Sequence, residues 1–99
     1  MKVTVKSLHF DADQKLLDFI ESKLDKLALH YDKIIESEVT LRLENASNGD
    51  NKVTEIRLYV PGNDLFAKRQ CSTFEEATDL AIDALRNQIT KHKEKIRQV

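Results

Sequence analysis

Apolar and polar residues alternate from the first residues of the chain. Val3 and Val5 sit between Lys2, Thr4 and Lys6, a period of two that predicts a short strand with one buried face. Asp11 and Asp13 follow, both good helix N-caps. The period then lengthens: Leu16, Ile20, Leu24, Leu27 and Tyr31 mark one stripe of a helix running to about Tyr31. At about Glu36 the period returns to two. Val39, Leu41 and Leu43 alternate with Glu38, Thr40, Arg42 and Glu44, predicting a second strand.

A polar loop from Asn45 to Asn51 carries the pair Asn48-Gly49, which favours a hairpin. Ile56, Leu58 and Val60 alternate with Glu55, Arg57 and Tyr59 as a third strand, and Pro61-Gly62-Asn63-Asp64 signals the next turn. A weaker fourth strand sets Leu65, Ala67 and Cys71 opposite Lys68 and Gln70. Thr73-Phe74-Glu75-Glu76 has the Thr-x-x-Glu form of a capping box. A long helix starts there and runs to about Ile96, its inner side marked by Ala77, Ala81, Ala84, Leu85, Gln88, Ile89 and Ile96. The order β-α-β-β-β-α predicts an α+β two-layer sandwich. Its first β-α-β unit gives a parallel pair with a right-handed crossover. Two hairpins complete a four-stranded mixed sheet, and both helices cover one face. The other face carries Thr40, Arg42, Arg57 and Tyr59.

Charge changes the picture. On a wheel of about 100° per residue, Asp18, Glu21, Asp25 and Asp32 gather on one outer side of the first helix. Lys15, Lys23, Lys26, His30 and Lys33 gather on the other. A helix selected only for solubility tends to mix signs, because oppositely charged i,i+4 pairs add stability; lysines that merely snorkel at a core boundary are the competing explanation. The second helix sorts its charges by length. Glu75, Glu76, Asp79 and Asp83 come first; Arg86, Lys91, Lys93, Lys95 and Arg97 come later, opposed only by Glu94. The helix macrodipole rewards such an order, but only within the terminal turns, and Arg86 and Lys91 lie too far back. A basic run of this density holds several phosphates and releases their counterions. If the lysine flank of the first helix faces the basic end of the second, the two form one cationic strip.

Composition narrows the classes. The chain has 99 residues, 40% hydrophobic and 33% charged, with a net charge of -1. Such a chain suits a single domain over residues 1–99, and bulk charge alone gives no pull towards nucleic acid. With Cys71 as the single cysteine, an internal disulfide and a cysteine metal cage are both excluded. No stretch reaches the roughly 20 apolar residues of a membrane span, and the first residues lack a signal-peptide core, so a cytoplasmic location is expected. His9, His30 and His92 are scattered, with no ligand-spaced partner, and no glycine-rich phosphate loop or nucleophile motif is present. The expectation is a non-enzyme with no cofactor, no metal and no small-molecule substrate.

Three basic texts in register carry a family resemblance over essentially the whole chain. The segment Ile82-Asp83-Ala84-Leu85-Arg86-Asn87-Gln88-Ile89-Thr90-Lys91-His92-Lys93-Glu94-Lys95 resembles the end of the last helix in the ribosome hibernation promoting factors and ribosome-associated inhibitors, once described as sigma factor modulation proteins. The first helix adds Lys23-Leu24-x-Lys26-Leu27 and Tyr31-Asp32-Lys33-Ile34. The resemblance implies the same β-α-β-β-β-α fold. It implies binding to the small ribosomal subunit and the whole ribosome through ribosomal RNA, obstruction of the messenger and transfer RNA path, and repression of translation in starvation or stationary phase. The positions that match the family's RNA-binding residues are Lys23, Lys26, Lys33, Arg86, Lys91, His92, Lys93 and Lys95, with Arg97 as an extension. Two departures stand out. The second helix opens with Thr73-Phe74-Glu75 where the family commonly shows Asp-x-Tyr, and the C-terminal dimerisation domain of longer members is not expected. The alternative is a protein-interaction module of the same fold with no ribosome role, using the outer sheet face and the acidic side of the first helix.

Overall fold

The computed structural model describes residues 1–97; the side chains of Ile96 and Arg97 lie outside the described residues. The elements run β1 (Lys2–Ser7), α1 (Gln14–Ala28), β2 (Glu36–Leu43), β3 (Lys52–Val60), β4 (Asn63–Cys71) and α2 (Phe74–Arg97). The sheet order is β1-β2-β3-β4. β1 pairs parallel with β2, and the other two pairings are antiparallel. This is the two-layer α+β architecture that the alternation predicts.

Local chemistry explains the boundaries. The Asp13 carboxylate accepts the Leu16 N–H at 2.8 Å and caps α1. The helix ends at Ala28, earlier than its apolar stripe suggests. Tyr31 is buried, but it comes from the connecting loop, as does Lys33, which is therefore not a helix residue. Val60 pairs with Asn63 across Pro61-Gly62, and Gly62 holds φ +77°. Proline followed by a left-handed glycine is the chemistry of a tight type II turn. At the start of α2, Thr73 Oγ1 accepts the Glu76 N–H at 3.1 Å. Glu76 turns its carboxylate to the Ser72 hydroxyl, so only one arm of the predicted capping box is present.

The core lies between the sheet and the helices. Ile20, Leu24 and Leu27 of α1 and Ala81, Leu85 and Ile89 of α2 pack over Val39, Leu41, Ile56, Leu58 and Ala67. Small alanines bring α2 close to the strands. Because β1 and β2 are parallel and two hairpins follow, both helices run against the direction of β1 and thus parallel to each other. Phe10 stacks on Phe74 with ring centroids 5.1 Å apart, joining the two helix starts. Both C-terminal ends therefore lie at one end of the domain.

Candidate nucleic-acid interface

The parallel helices decide what the basic residues can do. A helix C-terminus carries partial negative charge and favours nearby cations. Such ends suit Lys26 in the last turn of α1, His30 and Lys33 just beyond it, and Lys95 on α2, and the same end of the domain carries Lys91, His92 and Lys93. Of the lysine flank of α1, Lys23 reaches α2, with Nζ 3.0 Å from Asp79 Oδ1 across the seam, whereas Lys26 lines an open hollow with Asp18, Glu21 and Asp25.

Within this set the side chains divide into three groups. Lys26, Lys33, Lys91 and Lys95 are exposed and, among the described residues, take no ion pair. Lys23 shares its charge with Asp79 and sits 5.3 Å from the centre of the Phe19 ring, and Arg86 lies 3.6 Å from Asp83 one turn back. Exposed pairs of this kind contribute little to stability, yet each sets a negative charge against the positive one. The third group is pinned. Lys93 donates to the His30 carbonyl oxygen and lies over the Tyr31 ring at 5.6 Å. His92 meets the same ring edge-on at 5.8 Å. These two residues clamp the tail of α2 to the end of α1, a role that a reading of charge alone misses. The Arg97 side chain lies outside the described residues.

On the other side of α2, Lys91, His92 and Lys95 line an open groove of about 300 Å³ with Asn63, Asp64, Leu65 and Gln88. Gln88 explains why this groove has a firm wall. Its carboxamide donates to the Phe66 carbonyl at 2.8 Å and accepts the Phe66 N–H at 3.2 Å. β4 is an edge strand, so the amide takes the place of a neighbouring strand and ties the basic half of α2 to the sheet. A glutamine read only as part of the helix's inner side gives no hint of that bond, because the partner is backbone.

The outer sheet face is a different surface. Arg42 bonds Glu55 at 2.8 Å and also contacts Glu44. Arg57 lies 3.7 Å from Asp64 and 4.8 Å over the Phe66 ring. Tyr59 donates to Glu38 Oε1 at 2.6 Å, and that hydrogen bond is the main reason its phenol is held above the ordinary value. Cross-strand pairing thus consumes much of the charge on this face. Burial pushes the Cys71 thiol up, which suits a packed structural thiol. Among the described residues no group of histidine, cysteine, aspartate or glutamate is placed to hold a metal ion. No helix there is long and apolar enough to cross a membrane.

Comparison with known proteins bears on the family and the fold. A ribosome hibernation promoting factor of Pseudomonas putida is 30% identical over 95 residues, spanning 96% of this chain and 89% of its own. One from Escherichia coli strain K12 is 28% identical over 98 residues, spanning 99% of each chain. Among solved structures, a ribosomal subunit interface protein from Coxiella burnetii superposes with a TM-score of 0.85 at 19% identity, over 95% of this chain and 99% of its own. The N-terminal domain of Thermus thermophilus Protein Y gives 0.80 at 22% identity, over 93% and 99%; at such identities the two structures bear on the fold alone. The model of the family described as sigma 54 modulation protein / S30EA ribosomal protein matches residues 3–97, and the chain belongs to that family.

Proposed function

We propose that this protein is a ribosome hibernation factor that binds ribosomal RNA of the small subunit with the common C-terminal end of its two helices. One observation carries the reading: Lys26, Lys33, Lys91 and Lys95 stand exposed at that end without an ion pair among the described residues. Phosphate contacts of this kind give affinity and position without reading sequence, which suits a protein that occupies a path rather than selecting a message. The clamp of Lys93 and His92 on Tyr31 and the Gln88 bond to Phe66 make the basic end rigid. A rigid wedge excludes messenger and transfer RNA by volume, with no catalytic step, and so represses translation in starvation or stationary phase. The family relatives named ribosome hibernation promoting factor support the same reading.

The test is sedimentation of a stationary-phase lysate through a sucrose gradient at low and at high salt. The protein is expected with the small subunit and whole ribosomes at low salt and at the top at high salt, since log affinity falls linearly with log salt. Protein that stays at the top at low salt would falsify the proposal.

A further inference from the structure

The two edges of the sheet are finished differently. At β4 the Gln88 carboxamide covers the backbone of Phe66. At the opposite edge β1 has β2 as its one neighbour among the described residues. In a parallel pair, alternate residues turn both backbone groups towards the same side. The Leu8 N–H goes to the Leu41 carbonyl, so the groups of Val3, Val5 and Ser7 turn to the open side. Beside them runs a groove of about 340 Å³ lined by Met1, Val3, Val5, Leu17, Glu21 and Asp25, with Gln14 at one end. Its floor is apolar and half-buried. Its helix wall is acidic: Glu21 and Asp25 are exposed and, among the described residues, take no ion pair.

We propose that the β1 edge binds an extended basic segment of another protein, added as a fifth strand, in a contact separate from the RNA interface. The backbone groups of Val3, Val5 and Ser7 supply the ladder, and Val3, Val5 and Leu17 take apolar side chains. Glu21 and Asp25 select lysine or arginine among the residues on the helix side. On the outer side Lys2 and Lys6 face the incoming strand, so its alternate residues are neutral or acidic. β1 is about 20 Å long at roughly 3.3 Å per residue, room for five or six residues. Charge argues against a second copy as the occupant. A two-fold β1–β1 pairing sets Glu21 and Asp25 against the same acids and Lys2 and Lys6 against each other.

The test uses the intact protein and a blocked hexapeptide in which threonine alternates with lysine, valine and lysine, followed by amide NMR. Shifts and slowed hydrogen exchange at Val3, Val5 and Ser7 are expected. A control peptide with glutamate in place of lysine is expected to bind at least about tenfold more weakly. The double variant Glu21→Lys, Asp25→Lys changes two exposed helix positions and is expected to weaken the lysine peptide by roughly tenfold while sedimenting with ribosomes as before. Unmoved β1 amides, shifts confined to α2, equal binding of the glutamate peptide, or self-association through β1 each overturn the proposal. Ribosome sedimentation reports separately on the RNA interface.

Discussion

The two flanks of α1 come from one helix and share one buried stripe, yet they meet different surroundings. The lysine flank reaches α2 through Lys23, which is tied to Asp79, and the carbonyl of His30, just past the helix end, takes Lys93. The acidic flank faces the open edge of β1, where Glu21 and Asp25 take no ion pair among the described residues. The difference explains how a chain of net charge -1 can offer a cationic end at all. Asp18, Glu21 and Asp25 gather on one flank of that helix, so basic residues outnumber acids at the common helix end although Asp32, Asp64 and Glu94 lie among them. It also separates exposure from availability. A residue can be basic, surface-lying and in the right run, and still be spent on holding two helices together.

The most severe way to break the comparison is to remove what the flanks share. Leu24 is fully buried under α1. Leu24→Ala is expected to cost about 3 kcal/mol, read as a lower urea midpoint at unchanged slope. Ribosome association and peptide binding should then fall together as the unfolded fraction rises. A cost below about 1 kcal/mol would mean that α1 is not anchored as a unit.

A gentler variant splits the flanks. Replacing Lys26, Lys91 and Lys95 together with glutamine is expected to weaken ribosome association at least tenfold at about 100 mM salt, and to lower the salt slope by about 3. The fold should be untouched, since these side chains are exposed and unpaired among the described residues. An unchanged slope in a gradient or filter-binding titration removes these lysines from the interface.

Much of this was readable from the chain. The switch of period from two to 3.6 and back placed every element, and the order of elements implied the parallel β1–β2 pair and with it parallel helices. The sorting of signs on α1 was visible on a wheel. Three things were not. The apolar stripe runs on to Tyr31 although the helix stops at Ala28, because a buried loop side chain can continue a pattern that the backbone has left. The Gln88 bond joins a side chain to backbone of a distant strand, and backbone leaves no letter in a sequence. The division of basic residues into exposed, paired and pinned depends on which acid or carbonyl lies across the seam, as Asp79 does for Lys23 and His30 for Lys93. Spacing along one helix does not contain that fact.

Gln88 offers a sharper test of whether the basic end must be rigid. Gln88→Ala removes two hydrogen bonds at an exposed strand edge and is expected to cost about 1 kcal/mol, because water takes up part of what is lost. Affinity for ribosomes should fall by more than that loss of stability explains, if the amide serves to position α2. Restoring the fold with a stabilising osmolyte should not restore the affinity. Equal affinity under those conditions reduces Gln88 to an edge cap.

The smallest expected effect lies in the seam between the flanks. The Tyr31 hydroxyl is buried and takes no hydrogen bond among the described residues, as is true of Nε2 of the neighbouring His92. A buried hydroxyl without a partner is a cost, so Tyr31→Phe should leave stability within about 0.5 kcal/mol or raise it slightly. The ring that carries Lys93 and His92 stays in place, so ribosome association should not change. If association instead falls while stability holds, the hydroxyl and His92 meet the RNA directly, and the pinned residues belong to the interface as well as to the clamp.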